Sequence, residues 1–448
     1  MSQKFKLICR TCGHEINSFD EWFANNQKCP VCGDNKVYVK YNTPPEKLLD
    51  IIKQNPHPKS MWVYFDFLPL NDPANIVSEG EGVSPMERWY FLEKFAKDKY
   101  NIDIQVIVNR NDLSPATHTF KDKGASLAAS VLKEHGIKEY VVASTGNTAT
   151  AFAYYLAKAN ISLTVFMPED SLDENAAHIG ALGQKVCIVK GDYAKAKAVA
   201  KQYAKKYNIL SSGGNLDPLR LEAKKTQAFE MIRQLGRIPD VYIQAISGGT
   251  SPFALEKAFI DFENTNILGK LPRLLLCQGN HCAPQAEAWE NAKKQGFPPG
   301  WENNYPTYEN PKAIVPTLAT GKPVLYPLMA RLVKKSGGEI FPVMEELATD
   351  IARLVAYEKI LRIGPASAIG LLGFFEALHR GYIHNGEMVY INMGEGYERA
   401  YTFLRDVAYT MQYILGADEC ARFDRQIYHD KVWETFYNYE KYSTLNNS

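Results

Sequence analysis

The chain has 448 residues, enough for two or three domains with large cores. Apolar residues make up 46% of it, yet no run of 18 or more is free of polar groups, so no membrane span is expected. Lys and Arg number 51 against 50 Asp and Glu; a net charge of +1 lacks the basic excess that binding nucleic acid or an anionic membrane as a main task needs.

In chain order, the first segment is residues 1–42. Its start, "MSQKFKLICRTCG", has no signal-peptide apolar run before the first cysteines, so a cytoplasmic protein is expected. Cys9-x2-Cys12 and Cys29-x2-Cys32 are separated by sixteen residues, and each pair is followed by a glycine, Gly13 or Gly33. Two tight turns can each offer two thiolates to one ion, completing a four-sulfur tetrahedral shell for Zn2+. Binding would contribute on the order of 10 kcal/mol to folding so small a unit. Two disulfides are the alternative, but a Cys-x2-Cys pair rarely bridges itself and the compartment reads as reducing. A closed shell leaves no open position, so the ribbon's role is structural, with partner recruitment the minor alternative. Cys187, Cys277, Cys282 and Cys420 are scattered and read as free thiols.

The proline-rich stretch "YNTPPEKLLDIIKQNPHPKS" reads as a linker to the main body. Beyond it, short apolar strands at 140–144, 163–168, 185–189, 240–246, 273–278 and 388–393 alternate with helical patterns at 148–159, 193–207 and 252–262. This repetition predicts an α/β fold with largely parallel sheets covered on both faces. The tail after about residue 405 is rich in aromatics and charge. It reads as a helix that caps the body or meets another subunit, packing on the body being the commoner case.

Ligands of open α/β sheets bind at the carboxyl ends of strands, often at helix N-termini. Three stretches here have that form. In "THTFKDKG", Lys121 follows Phe120 at a helix start; alone it is an ordinary solvated lysine, and a chemical role requires desolvation or a neighbouring cation. In "VVASTGNTATAFAYY", Ser144, Thr145, Gly146, Asn147 and Thr148 link a strand to a helix. One hydroxyl would satisfy simple capping; five small polar residues in a row exceed it and suit a carboxylate or phosphate. In "YIQAISGGTSPFALEKAF", Ser247, Gly248, Gly249, Thr250 and Ser251 precede a helix with Pro252 near its start, where glycines and the helix dipole favour an anion. The spacing fits neither a Walker loop nor the dinucleotide fingerprint, which disfavours ATP and NAD.

Taken together, these stretches resemble the pyridoxal-phosphate (PLP) enzymes of the tryptophan-synthase-β fold type, and within them the threonine synthases. The resemblance covers most of residues 75–400. It rests on "SEGEGVSPM", "THTFKDKGA", "STGNTA", "TLATGKP", "GPASAIG" and "NLDPLRLEAKKTQAFEM". The last is similar to the family's Asn-Pro-x-Arg-x-x-Gly-Gln-Lys-Thr-x-x-Phe-Glu signature.

The resemblance implies two doubly wound α/β domains of PLP fold type II behind the ribbon. The large domain would comprise 43–125 and 235–448, and the small one 126–234. It implies that Lys121 forms the Schiff base with PLP and later serves as base for the α-proton. Asn147 would bond the 3′-oxygen, Ser247–Ser251 would hold the cofactor phosphate, and Ser144, Thr145 and Thr148 would hold the substrate carboxylate. Three departures fall at this site. His118 stands where the family has Gly, Lys123 where it has Arg, and Met393-Gly394-Glu395-Gly396 where it has Thr-Gly-His-Gly. The hydroxyl expected at the pyridine nitrogen is therefore absent, and Asn392 or Glu395 is left to replace it. The implied substrate is a small phosphorylated amino acid. His118 and Lys123 could serve a second anion, which tilts the reading to a cysteate synthase (phosphoserine and sulfite) over a threonine synthase (phosphohomoserine and water). For His118, a packed histidine bonded to backbone is an equal alternative. An inactive PLP-fold binding protein is a further alternative, disfavoured by the intact Lys121 and Asn147. The subunit number stays open, with homodimers common among soluble enzymes.

Overall fold

The computed structural model describes residues 4–144, 146–171, 173–309, 311–408, 410–420 and 422–444. Among these, three sheets organise the chain. The ribbon sheet is antiparallel, with Phe5–Cys9 between Glu15–Ile16 and Val37–Tyr41. The four-stranded sheet is parallel, in the order Lys185–Val189, Ser162–Pro168, Glu139–Ala143, Leu210–Ser211. The six-stranded sheet runs Glu339–Val343, Arg273–Gly279, Val241–Ala245, Met388–Met393, Gln105–Arg110, Met86–Arg88, parallel except for its last pair. The fold is α/β, as the alternation of strands and helices predicts. We propose division of the chain near residues 42, 125 and 234, which keeps each sheet whole.

The strands of the large sheet are apolar on both faces because helices cover both. On one face lie Tyr90–Tyr100, Ala348–Lys359 and Pro365–His379; on the other lie Thr250–Asp261, Pro284–Lys294 and Tyr326–Ser336. The tail forms the helix Arg425–Tyr437, which seats Val432 and Phe436 in the first of these layers; the Phe375 and Phe436 ring centroids are 4.4 Å apart. The stretch read as a linker contains a helix, Lys47–Gln54, because Leu48 and Ile51 share one buried face.

The ribbon is built into the body. Leu7, Phe19 and Val39 share one apolar cluster with Ala125, Ala129 and Leu219. A buried polar seam fixes the contact. Glu222 accepts hydrogen bonds from the Tyr41 hydroxyl (2.8 Å) and the Val39 N–H (3.3 Å), while Lys225 bridges Glu222 (2.6 Å) and Asp261 (2.7 Å), and Lys257 pairs with Asp261. Two carboxylates thus meet two ammonium groups, so the seam carries no net charge.

Candidate active site

Lys121 opens the helix Lys121–Glu134, and the turn before it is stitched to the loop after Met388–Met393. Thr119 forms an isolated bridge with Glu395, the Phe120 N–H donates to Gly394 O (3.2 Å), and the Gly396 N–H donates to His118 O (2.9 Å). Asp122 locks the turn from inside, accepting from the N–H groups of Ala116 (3.2 Å) and Thr117 (3.0 Å) and from the Thr117 hydroxyl. The Lys121 amine is 3.7 Å from the Phe120 ring centroid. Desolvation lowers its pKa to about 8, with Glu395 opposing and the Arg220 guanidinium reinforcing the shift. At pH 7 about one such amine in ten is neutral, against about one in 2,500 for an ordinary lysine.

Asn147 starts the helix Asn147–Lys158, and its Nδ2 donates to the Glu395 carboxylate, whose other oxygen accepts from Ala366 N–H (2.7 Å). Glu395 is thereby committed to the Asn147 side. Asn392 accepts from Asn111 Nδ2 (2.7 Å), and its own Nδ2 lies beside the Tyr242 phenol without a hydrogen bond of good geometry. Met393, where the family has Thr, is buried in the apolar layer and offers no donor. Ser144 caps the helix: its hydroxyl accepts from Gly146 N–H (3.1 Å) and Ala149 N–H (3.3 Å). Thr148 Oγ1 receives a long contact from Arg220 (3.5 Å). Thr145 lies outside the described residues.

The third loop has the features of an anion cradle. Gly249, at φ +75°, precedes the helix Thr250–Asp261, whose first turn has no side-chain cap. A Cβ on Gly248 would lie 1.7 Å from Asn215 Nδ2, and Asn215 Oδ1 holds the Thr250 hydroxyl (2.8 Å). Ser247 O accepts from Gln285 (2.8 Å), and the Ser247 hydroxyl bonds Thr320. The buried Ser251 Oγ has no partner among the described residues. Uncapped N–H groups, an unpartnered hydroxyl and room only for glycine fit a phosphate ester.

His118 and Lys123 are placed differently from each other. His118 sits at φ +53°, a conformation that glycine takes freely, and its Nδ1 is 3.1 Å from Asp112 O. Lys123 is buried and lies toward Glu230; burial lowers its pKa to about 8, with Glu230 opposing.

Two cations absent from the predicted site belong to it. Arg220 and Lys224 lie on the helix Pro218–Lys224, which packs so closely on the lysine helix that a Cβ on Gly124 would lie 3.4 Å from Arg220 Cα. Arg220 donates to Gly214 O (2.9 Å), and the Lys224 amine is 5.1 Å from the Phe120 centroid, on the ring that also carries Lys121. Their spacing of four residues puts both on one helix face, the only local signal that could have paired them.

A lysine desolvated at a helix start, a polar strand-to-helix loop and a glycine cradle converge on one place, and comparison with known proteins gives the arrangement its family. A profile described as "Pyridoxal-phosphate dependent enzyme" matches residues 77–394. The chain belongs to this family. Threonine synthase of Methanocaldococcus jannaschii is 31% identical over 339 residues, 75% of this chain and 80% of that protein. Cysteate synthase of Methanococcoides burtonii is 27% identical over 388 residues, 82% of this chain and 88% of that protein. Among solved structures, diaminopropionate ammonia lyase of Escherichia coli superposes with TM-score 0.60 at 13% identity, covering 92% of this chain and 98% of that one. The protein is therefore a PLP-dependent, threonine-synthase-like enzyme of fold type II. No helix among the described residues is long and apolar enough to cross a membrane.

At the other end of the chain, the sulfurs of Cys9, Cys12, Cys29 and Cys32 all lie within 4.8 Å of one another, with Cys9–Cys32 at 3.5 Å and Cys12–Cys29 at 3.6 Å. Zn–S bonds of about 2.3 Å in a tetrahedron give edges of about 3.8 Å, so the donor set and spacing suit zinc.

Proposed function

We propose that this enzyme replaces the phosphate of an O-phospho-amino acid, with phosphoserine and sulfite as substrates and cysteate and phosphate as products. The observation that carries this is the charge: the buried Arg220 and Lys224 gather with the part-exposed Lys121 around the carboxylates Glu395 and Asp217, and Asp217 is already engaged by the N–H groups of Gly213 (2.9 Å) and Leu219 (3.0 Å). Such an excess suits a ligand that brings its own negative charge.

In this reading Ser247–Ser251 hold the cofactor phosphate, Asn147 faces the 3′-oxygen and the Asn392 amide faces the ring nitrogen. PLP supplies an electron sink for the bonds at the substrate α-carbon. Ser144, Thr145, Thr148 and the N-terminus of the helix Asn147–Lys158 orient the substrate carboxylate. Lys121 Nζ takes the α-proton and returns it to the same carbon. Arg220 receives the phosphate as its C–O bond breaks, and a C–S bond forms at that carbon. The electrons balance without an oxidant. Cys9, Cys12, Cys29 and Cys32 hold a structural Zn2+.

A threonine synthase acting on phosphohomoserine and water is the second reading, favoured by the higher identity to the M. jannaschii protein. The two separate in one experiment. Purified enzyme is given phosphoserine or phosphohomoserine, with and without sulfite, and phosphate and amino-acid products are measured. Cysteate formed only with sulfite is expected, and Lys121→Ala should lose both the product and the visible absorbance of bound PLP. Phosphate released from phosphohomoserine alone, with threonine as product, would overturn the cysteate reading.

A further inference from the structure

Lys224 and Lys225 are adjacent, and both are buried, at 2% and 0% exposure. Their surroundings differ. Lys225 has its charge matched by Glu222 and Asp261. Lys224 makes no hydrogen bond or ion pair among the described residues, and the threonine-synthase signature has Gln at this position. An unpaired ammonium group in such a place is strongly unfavourable, because desolvation is not offset by any partner.

We propose that Lys224 binds the incoming nucleophile, an oxyanion of the sulfite class, beside the Phe120 ring and one helical turn from Arg220. The inference rests on the replacement reading above. Of the four anionic groups that reading brings to the site, three have other receivers: the cofactor phosphate has the Ser247–Ser251 loop, the substrate carboxylate has Ser144, Thr145 and Thr148, and the leaving phosphate has Arg220. The nucleophile remains, and Lys224 is a buried amine with no ion pair among the described residues, whose facing carboxylate, Asp217, is already engaged by the Gly213 and Leu219 N–H groups. Its amine shares the Phe120 ring with that of Lys121, so an anion held there lies next to the group that moves the α-proton. Water would need no such cation; sulfite does.

The charged groups facing Lys224 are Arg220, Lys121 and Lys123, with Asp217 opposing them, and together with burial they hold its pKa well below the ordinary lysine value. An anion held beside the amine raises that lowered pKa again, so its binding draws in protons. This gives a signature that a packing residue would lack: binding takes up a proton.

The test uses PLP-loaded enzyme, titrated with sulfite by calorimetry in two buffers of different ionisation heat, and with phosphoserine by the change in visible absorbance. Wild type should bind sulfite with net proton uptake. Lys224→Gln and Lys224→Met should each weaken sulfite binding about tenfold or more and abolish the uptake, while phosphoserine affinity changes less than about twofold. Thermal unfolding of both variants checks that they fold. Wild-type sulfite affinity in both variants, or parallel loss of sulfite and phosphoserine binding, would overturn the inference. Cysteate production that is unchanged in Lys224→Gln would remove the Lys224 site and leave the cysteate reading standing. Lys224-dependent sulfite binding by an enzyme that makes only threonine would keep the oxyanion site and remove that reading.

Discussion

His118 holds a left-handed backbone that disfavours a side chain by about 1–2 kcal/mol. The Nδ1 contact to Asp112 O returns about 1 kcal/mol. Glycine would relieve the strain but loosen the unfolded chain, a loss of about 0.5–1 kcal/mol. His118→Gly should therefore leave stability within about 1 kcal/mol of wild type. If the imidazole meets an anionic ligand through Nε2, KM for that ligand should rise with kcat little changed; an unchanged KM with a large fall in thermal stability would make His118 a packing residue. Single residues also show where the sequence was opaque. Lys225 carried no signal of its own, because its partner Asp261 lies 36 residues on and its other partner, Glu222, is held by Tyr41 from 181 residues away. Arg220 stood inside a recognised motif, but its place beside Lys121 depends on the packing of two helices about a hundred residues apart in sequence. Lys121 itself was readable only in company, since the turn before it is held by the loop after residue 393.

At the scale of elements, the apolar runs announced themselves. Strands 185–189 and 388–393 have the predicted ends, and the helices at 193–207 and 252–262 match to within two residues. Strands with weak patterns did not show. Gln105–Arg110 has three apolar residues and then Asn109 and Arg110, which are buried because Arg110 pairs with Glu87 and Asp112. Glu339–Val343 contains Pro342, which argues against a strand unless the strand is an edge, and the structure puts it at the edge. The glycine loop reads as an anion site from its residues, and its geometry supports a prediction. Gly248→Ala must displace Asn215 and so remove the partner of Thr250. PLP affinity, read by absorbance titration, should fall about tenfold or more, roughly 1.4 kcal/mol, while the α/β fold persists by circular dichroism. Unchanged affinity would remove this loop from the phosphate site.

Across the whole molecule, the ribbon and the helix that Lys121 opens share one core, because Phe19 and Val39 cluster with Ala125 and Leu219. Metal analysis should give one zinc per chain. Chelation should lower the thermal midpoint of the entire protein and alter the absorbance of bound PLP, since the helices carrying Lys121 and Arg220 lean on the ribbon. A metal-free preparation with unchanged unfolding would show the ribbon to be dispensable. The seam at Glu222 has one more consequence, which concerns synthesis. The ribbon leaves the ribosome first, and Glu222 follows about 180 residues later. Four cysteines close in sequence can fold around a metal while the rest is still being made. The ribbon is then a finished landing face, offering the Tyr41 hydroxyl and the Val39 N–H to a helix not yet translated. If the four cysteines take zinc, a cell short of it at that moment would make chains whose Lys225 and Lys257 must be buried without a finished ribbon, and the yield of folded enzyme should fall with the metal supply.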